Sequence, residues 1–570
     1  MTPSHFEHRR VRQLLLGVSC ACLMSAGGAP AGAAEVAHNI GYGAKVADGG
    51  RGVPLHPDQK VELALKVKQP FTVVGLGDLL EFQPFAKSND PDVQYLVNLV
   101  RNADVATGDL ENEIMDFDNF GHAGGNLATK EVADDWALMG IDLVSRANNK
   151  VQRSPGVWED LHQVERVGII HAGVAHSLPE ARMARYFSTP KGLVGFAGLY
   201  SEGGIDACCA GGQPVHVTPE QLAQVKAIKE SILARRNEVE VPVDLPPADA
   251  AGTVEVFGVT FTTAPVAADA APAPRRGRGG QERPAGPDDG IMNTIHLTLF
   301  HGVTAPQMAQ LRAIAGDTGT GSDLKAFGTQ FRVMDRPGEH SFDMNPKDLK
   351  EALTQIRTGK QASDIMVTNF HWHQNRYDFQ AYSHDHFPAD FEIKFAHAAV
   401  DQGDDVFIAQ GVHTIKGVEI YKGKPIFYGT SNFVFQSAIM PEGKGHLPGL
   451  TAADSGFGPR PPGVVEPRRG ATASGDEIIG EHETQGFWQL KANLEAILTS
   501  SHFENGKLTE VRIYPVDLGQ TPRPGSQVGI PRRPTPEVAK KILDEVIEYS
   551  KPFGTKIEVE NGVGVIKIPG

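Results

Sequence analysis

The chain has 570 residues, a hydrophobic content of 40% and a formal net charge of −15 at pH 7. This length is enough for two or more domains, and the acidic charge argues against nucleic acid as a partner. The negative net charge also repels an anionic polymer, so binding such a polymer requires a local pocket that is basic or holds a metal ion.

Residues 1–34 have the pattern of a secretory signal peptide. Three arginines within residues 9–12 precede the apolar run 14–24, and small residues follow at 31–34, which predicts cleavage at the end of that stretch. Two alternatives stay open, a twin-arginine signal and a lipoprotein cysteine at Cys20. No later apolar run reaches the length of about 20 residues that a membrane span needs. We therefore expect a protein that is periplasmic or secreted, with no transmembrane segment in the mature chain.

Residues 35–69 have the pattern of an extended lead-in, and we predict a folded core in two segments, 70–205 and 291–437. In the first segment, short apolar runs that end in polar residues alternate with amphipathic patterns. The helices are predicted at residues 90–100, 129–139 and 157–167. This alternation is typical of βαβ units and predicts an α/β fold around a mainly parallel sheet.

Residues 206–290 are predicted to be an insertion in the core. The sequence 218–220 is typical of a capped helix start with proline at the first position. Segment 263–290 is rich in Ala, Pro, Arg and Gly and cannot bury a core, so we predict a disordered loop. Cys208 and Cys209 are adjacent, which leaves two open interpretations: small loop residues or a strained vicinal disulfide.

The second half of the chain continues the core and adds a C-terminal part. A helix is predicted to begin at Asn345-Pro346, and a hairpin is predicted within residues 418–428. The Gly/Pro-rich stretch 438–482 is predicted to be a long surface loop. The C-terminal part, 483–570, is predicted to contain a hairpin at Asn505-Gly506, a helix after Thr535 and two final strands.

Two apolar runs in this half each lead into a loop that contains histidine. The run 365–367 precedes His371 and His373, and the run 406–408 precedes Gln410 and His413. Buried parallel strands that end in polar loops commonly build a ligand site at the carboxyl edge of a sheet. Histidine in both loops predicts a metal site, and no zinc-finger or P-loop pattern competes with that interpretation.

Several motifs together carry a family resemblance. In chain order they are Gly77-Asp78 after an apolar run, Gly108 to Glu111 (similar to NLE), Ala147 to Lys150 (similar to ANNH), His371-Trp372 (similar to HWG), Ala409 to His413 (similar to GHxPH), and Gly417 to Glu419 with Ser431 to Phe435 (similar to GIE and GNFVF). The chain resembles the CapA-type poly-gamma-glutamate synthesis proteins, a bacterial branch of the calcineurin-like metallophosphoesterases. The resemblance covers roughly residues 70–200 and 340–570.

This resemblance implies a fold and a metal site. The implied fold is a four-layer αββα sandwich of the α/β class, metallophosphoesterase-like, with an insertion and long loops. By family position the candidate metal ligands are Asp78, Glu111, Asn149, His371 and His413, and Asp78, His371 and His413 are also the candidate catalytic residues. Histidine together with carboxylate suits Mn, Zn or Fe.

The candidates also have purely structural interpretations, which the sequence leaves open. Asp78 is also suited to capping a helix, Glu111 to the first turn of a helix, and Asn149 to a turn. Glu419 is expected either to lie behind His413 and orient its ring toward the metal or to be a cross-strand partner.

Two residues depart from the family pattern. Lys150 replaces the histidine of ANNH, and Gln410 replaces the first histidine of GHxPH. Both are poor ligands for transition metals, so we expect at most one metal ion. Lys150, Gln410 and His373 are instead candidate substrate contacts, and His384 and His386 are either further contacts or surface residues.

Two hypotheses of function follow. The first is an exported metal-dependent hydrolase of poly-gamma-glutamate or envelope polymer metabolism, acting on an anionic polymer or a phosphoester. The second is a non-catalytic polymer-binding or assembly protein on a degenerate metallophosphoesterase scaffold. Lys150 and Gln410 favour the second hypothesis, whereas the grouped carboxylates and histidines favour the first.

Overall fold

A computed structural model describes ten stretches of the chain, namely residues 59–116, 127–151, 156–202, 214–239, 249–266, 291–374, 376–377, 386–436, 478–479 and 491–568. The chain divides into two compact units, Met1–Glu62 and Leu63–Gly570. In the first unit only helix α1 (Gln59–Glu62) is described. All other described elements belong to the second unit.

The remaining helices occur throughout the second unit. They are α2 (Pro91–Arg101), α3 (Glu131–Met139), α4 (Val157–Arg166), α5 (Leu178–Arg182), α6 (Pro219–Val239), α7 (Ala305–Ala315), α8 (Pro346–Ala362), α9 (Asp390–Asp401) and α10 (Pro536–Ser550). Several begin with the capping side chain and proline that the sequence predicts. Asp90 accepts a hydrogen bond from the backbone of α2, Asn345 from α8 and Thr535 from α10.

The strands account for most of the core. They are β1 (Phe71–Leu80), β2 (Val105–Leu110), β3 (Glu113–Met115), β4 (Leu127–Thr129), β5 (Leu143–Ser145), β6 (Ile170–Ala172), β7 (Val174–Ala175), β8 (Arg185–Thr189), β9 (Gly192–Glu202), β10 (Val215–His216), β11 (Thr253–Val256), β12 (Val259–Thr262), β13 (Ile291–Met292), β14 (Thr294–Val303), β15 (Asp323–Ala326), β16 (Thr329–Val333), β17 (His340–Met344), β18 (Ile365–His371), β19 (Val406–Gln410), β20 (Val418–Tyr421), β21 (Lys424–Phe427), β22 (Asn432–Phe435), β23 (Ile478–Ile479), β24 (Glu495–Glu504), β25 (Lys507–Asp517), β26 (Arg523–Pro524), β27 (Glu558–Glu560) and β28 (Val563–Lys567).

Two large mixed sheets form the centre of the fold. The first has the order β27-β28-β25-β24-β1-β2-β5-β6, with β22 also paired to β1. The second has the order β15-β16-β14-β9-β18-β19-β21-β20, with β17 on β14 and β8 on β9. The pairs β1–β2, β2–β5, β9–β18 and β18–β19 are parallel. The predicted parallel core is therefore present, and antiparallel hairpins extend its edges.

The two sheets pack face to face, and helices cover their outer faces. Val105 of the first sheet and Ile365 of the second belong to one buried cluster between the sheets. A second cluster joins the outer face of the first sheet to α2 and α3, which includes the fully buried Trp136. A third joins the outer face of the second sheet to α8 and α9 through Ile356 and Phe395. This order of layers confirms the expected αββα architecture.

The described part of the insertion has its own small core. Helix α6 and the three-stranded sheet β10-β12-β11 pack with α7, β15 and β16 around Phe261 and Phe331. Thr263 and Ala264, at the start of the segment expected to be disordered, form hydrogen bonds to Gly252 and His216.

Several expectations lie outside the described residues. They are the signal peptide at 1–34, Cys208 and Cys209, residues 267–290, and nearly all of the loop 438–482. None of the helices in the described stretches combines the length and the apolar character that crossing a membrane requires.

Candidate metal centre

Strand register brings polar residues from both sheets to one place. Asp78 in β1 pairs with Asp109 in β2 on one side and with Asn432 in β22 on the other. His371, the last residue of β18, pairs with Gln410, the last residue of β19. Strands β2 and β22 are parallel to β1, and β19 is parallel to β18, so the carboxyl ends of the strands within each of these two sets lie at one edge of their sheet.

His371 is oriented by a chain of buried hydrogen bonds. Its Nδ1 lies 3.0 Å from Oδ2 of Asp109 and 3.6 Å from Oδ1 of Asp78. The Asn148 amide donates to the same oxygen of Asp109 at 3.1 Å. Arg146 donates in turn to the amide oxygen of Asn148 at 2.9 Å. The carboxylate therefore holds Nδ1 and leaves Nε2 to face the site, as in carboxylate–histidine–metal arrangements.

His413 is oriented in a similar way from the opposite side. Its Nδ1 lies 2.7 Å from the amide oxygen of Asn432 and 3.3 Å from Oδ2 of Asp78. The amide nitrogen of Asn432 donates to the backbone oxygen of Asn493 at 3.2 Å, so its oxygen faces the histidine. An amide oxygen only accepts hydrogen bonds. Nδ1 of His413 therefore carries the hydrogen.

Within the described residues, three groups of donor atoms have the spacing that a metal ion requires. In each group the atoms lie within 4.8 Å of one another. The groups are Asp78, Asp109 and His371; Asp78, Glu111 and His413; and Glu111, His371 and His373. His371 and His413 do not share a group, whereas Asp78, Glu111 and His371 each belong to two.

The carboxylates of these groups are buried with unsatisfied oxygens. Oδ1 of Asp78, Oδ1 of Asp109 and both oxygens of Glu111 lack a hydrogen-bond partner. Burial and the neighbouring Glu111 raise the pKa of Asp78 to about 8, and burial also raises the pKa of Asp109. Burial lowers the pKa of His371, but Asp109 and Asp78 outweigh this effect and raise it to about 10. Such a cluster needs positive charge to be stable, and a divalent cation fits this donor set.

The other predicted site residues have different surroundings. Oδ1 of Asn149 is buried without a hydrogen-bond partner. Lys150 is partly exposed, with Nζ 4.0 Å from Oε1 of Glu111. Gln410 is fully buried, and its amide donates to the side-chain oxygen of Asn369. His386 hydrogen bonds to the backbone of Ile415, and His384 lies outside the described residues.

The contacts of Glu419 favour its alternative role as a cross-strand partner over support of His413. Oε2 of Glu419 lies 2.7 Å from the hydroxyl of Tyr428 and 2.9 Å from Nε2 of His397. Asn432 makes the contact to His413 instead. The motif predicted a carboxylate behind the histidine, but β20 forms the edge of the second sheet and directs this side chain to α9.

Sequence reasoning missed three residues of the centre: Asp109, Asn148 and Asn432. Asp109 lies inside the motif that identified Glu111, and its position at the end of an apolar strand was a usable signal. Asn148 lies beside Asn149 but points to Asp109. Asn432 lies inside the motif similar to GNFVF, but its place beside His413 depends on the pairing of β22 with β1.

The backbone near His413 adopts an uncommon conformation. His413 has φ of 55° and Gly411 has φ of 102°. A side chain at Gly411 would approach the backbone oxygen of Trp372 to 2.7 Å and the ring of His371 to 2.9 Å. Left-handed non-glycine residues cost free energy and often occur at functional sites.

Comparison with known proteins identifies the family of this chain. The family model described as bacterial capsule synthesis protein PGA_cap matches residues 63–245 and 294–437, more than half of the chain. The chain belongs to this family. The PGA_cap match contains all five candidate metal ligands and confirms the resemblance that the motifs predict.

Individual relatives resemble the chain over different lengths. The uncharacterized protein y4sH of Sinorhizobium fredii is 27% identical over 519 residues, which are 89% of this chain and 95% of the relative. The PGA biosynthesis protein CapA of Bacillus subtilis is 32% identical over 90 residues, 16% of this chain and 22% of the relative. A probable polyglutamine synthesis accessory protein of Mycobacterium tuberculosis is 31% identical over 102 residues, 18% of this chain and 25% of the relative.

Proposed function

We propose that this protein is a metal-dependent hydrolase of the calcineurin-like phosphoesterase type that acts in poly-gamma-glutamate or envelope polymer metabolism. The observation that carries the proposal is the convergence of Asp78, Glu111, His371 and His413, with buried carboxylate oxygens that lack hydrogen-bond partners. The polymer is inferred from the names of Bacillus relatives, a PGA biosynthesis protein and a capsule biosynthesis protein.

The donor set indicates the metal and the chemistry. Carboxylate oxygens with imidazole nitrogens suit Mn, Zn or Fe, and a bound divalent ion supplies Lewis-acid stabilisation of a phosphoryl or carbonyl oxygen. Asp109 holds the ring of His371, and Asn432 holds the ring of His413. Lys150 places a partly exposed positive charge beside Glu111, where it can attract an anionic substrate.

The test compares purified wild type with His371→Ala and with the control His176→Ala. His176 is an exposed histidine outside the three donor groups. Each protein is loaded with Mn, Zn or Fe in parallel. Hydrolysis of a bis-aryl phosphodiester and the size distribution of poly-gamma-glutamate are then measured. We expect wild type and His176→Ala to act on at least one substrate and His371→Ala to lose at least 100-fold in rate. Equal rates in all three proteins would contradict the hydrolase.

A second function, polymer binding without catalysis, is favoured by Gln410 and Lys150. Gln410 stands where the family has a histidine, and its amide donates a hydrogen bond to Asn369. Lys150 likewise replaces a histidine and places a positive charge beside Glu111. If this function is the true one, metal-loaded wild type binds poly-gamma-glutamate in a sedimentation assay and leaves its length unchanged. Lys150→Met then weakens that binding.

We also propose that the chain is exported and loses residues 1–34. The support is the order of arginines, apolar run and small residues at the start of the sequence. N-terminal sequencing of periplasmic and secreted protein from a bacterial host is expected to begin near residue 34 or 35. Periplasmic protein that still begins at Met1 would contradict cleavage.

A further inference from the structure

His373 is an imidazole at a position where the family pattern has none. The motif HWG places glycine after the tryptophan, whereas this chain has His371-Trp372-His373. The same chain lacks the family's imidazoles at Lys150 and Gln410. The expectation of at most one ion counted those two losses and counted no compensating donor.

The structure places His373 directly against the metal centre. Its Nε2 lies 2.8 Å from Nε2 of His371. Its ring centroid is 4.8 Å from that of His371 and 5.9 Å from that of His413. A contact between two ring nitrogens is not a hydrogen bond unless one of them carries a hydrogen. Two imidazoles that ligate one cation also direct their ring nitrogens toward each other in this way.

The hydrogen bonds of His371 select which of its nitrogens faces His373. Nδ1 is occupied by Asp109 at 3.0 Å, so only Nε2 is oriented to a ligand shared with His373. Glu111 completes that group, and both of its oxygens are buried without a hydrogen-bond partner. Because a carboxylate has two oxygens, Glu111 can serve this group and the group of Asp78 and His413 together.

We propose that His373 is a metal ligand that forms, with Glu111 and His371, a binding position separate from the one formed by Asp78, Glu111 and His413. This inference rests on the proposed metal dependence of the protein. In this inference His373, in the loop after β18, replaces one of the imidazoles lost at Lys150 and Gln410. The inference predicts two divalent ions per chain, whereas the residues at the family positions alone predict at most one. Substrate contact is then not the main role of His373.

The test measures stoichiometry and not activity. Tag-free wild type, His373→Gly, His373→Gln, His413→Ala and the control His176→Ala are each titrated with Mn²⁺ and with Zn²⁺ by calorimetry. Elemental analysis follows after gel filtration. His373→Gly restores the family residue, and His373→Gln keeps the size of the side chain without its imidazole. We expect two ions per chain in wild type and control, and one in each of the other three variants. Circular dichroism confirms that each variant is folded before titration.

The outcomes separate this inference from the proposed function. One ion in wild type, or two ions in both His373 variants, would overturn the role of His373 and leave a metal-dependent hydrolase intact. No bound ion in wild type with either metal would overturn both proposals. Co²⁺ absorption provides an independent reading, because loss of an imidazole ligand changes the visible bands, whereas the control variant must leave them unchanged.

Discussion

At the scale of single residues, Gly411 is constrained both by its left-handed backbone and by close neighbouring atoms. A second glycine, Gly423, has only the first constraint. Gly411 and Gly423 both have positive φ, 102° and 76°. A side chain at Gly411 would contact Trp372 and His371, whereas a side chain at Gly423 has nothing within 4 Å. The conformation is therefore shared, and only Gly411 is confined by its neighbours.

We predict that Gly423→Ala costs about 1–2 kcal/mol of unfolding free energy, which is the cost of the left-handed backbone. Gly411→Ala should cost about 1–3 kcal/mol more, because the new methyl group overpacks against the backbone and the His371 ring. Urea denaturation of both variants measures the difference. Metal affinity should fall in Gly411→Ala alone, and equal unfolding free energies would contradict the close approach seen here.

Lys150 also acts at the scale of one residue. Its Nζ lies 4.0 Å from Glu111, and its side chain is 19% exposed. Two unit charges at this distance interact by about 4 kcal/mol at an effective dielectric of 20, and solvent reduces that value for a partly exposed group. Lys150 therefore opposes the binding of any cation to Glu111.

We predict that Lys150→Met binds Mn²⁺ about tenfold more tightly than wild type, because the opposing charge is removed. Lys347→Met, at a lysine that is 77% exposed, is the control and should leave the affinity unchanged. Calorimetry at low and high salt measures both. The gain should shrink as salt rises, and an affinity that is unchanged or weaker would show that Lys150 does not face the ion.

At the scale of secondary-structure elements, a buried ion pair links α4 to the metal centre. Nε of Arg146 lies 2.6 Å from Oδ2 of Asp160, and both side chains are fully buried. Burial raises the pKa of Asp160 to about 6, although Arg146 opposes the shift. Arg146 also donates to Asn148, which donates to Asp109. Helix α4 thus positions the loop after β5, although α4 contributes no residue to the three donor groups of the metal centre.

We predict that Arg146→Met costs about 3–5 kcal/mol of stability, because it leaves the Asp160 carboxylate buried without its cation. Arg146→Met/Asp160→Asn should recover most of this loss, since Asn keeps an acceptor for the Ile114 backbone. Both variants should still bind metal about 10–100-fold more weakly, because Asn148 is no longer held toward Asp109.

A matched control distinguishes positioning from stability in this experiment. Lys360 of α8 and Asp405 form another fully buried pair, at 2.7 Å, and Asp405 also pairs with Lys424. Asp405 directly precedes β19, at the opposite end of that strand from the site. Lys360→Met should destabilise the fold and leave metal affinity unchanged. If Arg146→Met/Asp160→Asn binds metal as tightly as wild type, Arg146 has only a structural role.

At the scale of the whole molecule, one long segment of the insertion connects strand β12 to strand β13. Strand β12 ends at Thr262, and β13 begins at Ile291. The intervening sequence is rich in Ala, Pro, Arg and Gly and has too few apolar residues to offset the entropy of ordering. Residues 263–266 are best retained, because Thr263 and Ala264 take part in hydrogen bonds.

We predict that replacing residues 267–290 with a short Gly/Ser linker changes the melting temperature by no more than about 2 °C. A loop of this kind adds only loop-closure entropy, which varies slowly with length. Differential scanning calorimetry of both proteins measures the shift, and metal stoichiometry provides a check on the core. A drop of about 10 °C or more would show that the segment packs against the fold.

Much of the architecture was predictable, because its signals are local. The caps at Asp90, Asn345 and Thr535 mark helix starts within one residue, and Asn505-Gly506 marks the turn between β24 and β25. The apolar runs that end at site residues identified the strands of the parallel core. These patterns depend on hydrogen bonds and periodicity within a few residues, so they survive in the sequence alone.

The sequence by itself determined the αββα class, the family and the strand ends where Asp78, Glu111, His371 and His413 lie. Only the tertiary structure decided how these donors are grouped. It paired His371 with Asp109, a residue 262 positions away, replaced Glu419 by Asn432 behind His413, and brought His373 to Glu111. The physical reason is that a metal site depends on distances of a few ångströms between strands of two different sheets. Those distances are set by strand register and sheet packing, which no local pattern encodes.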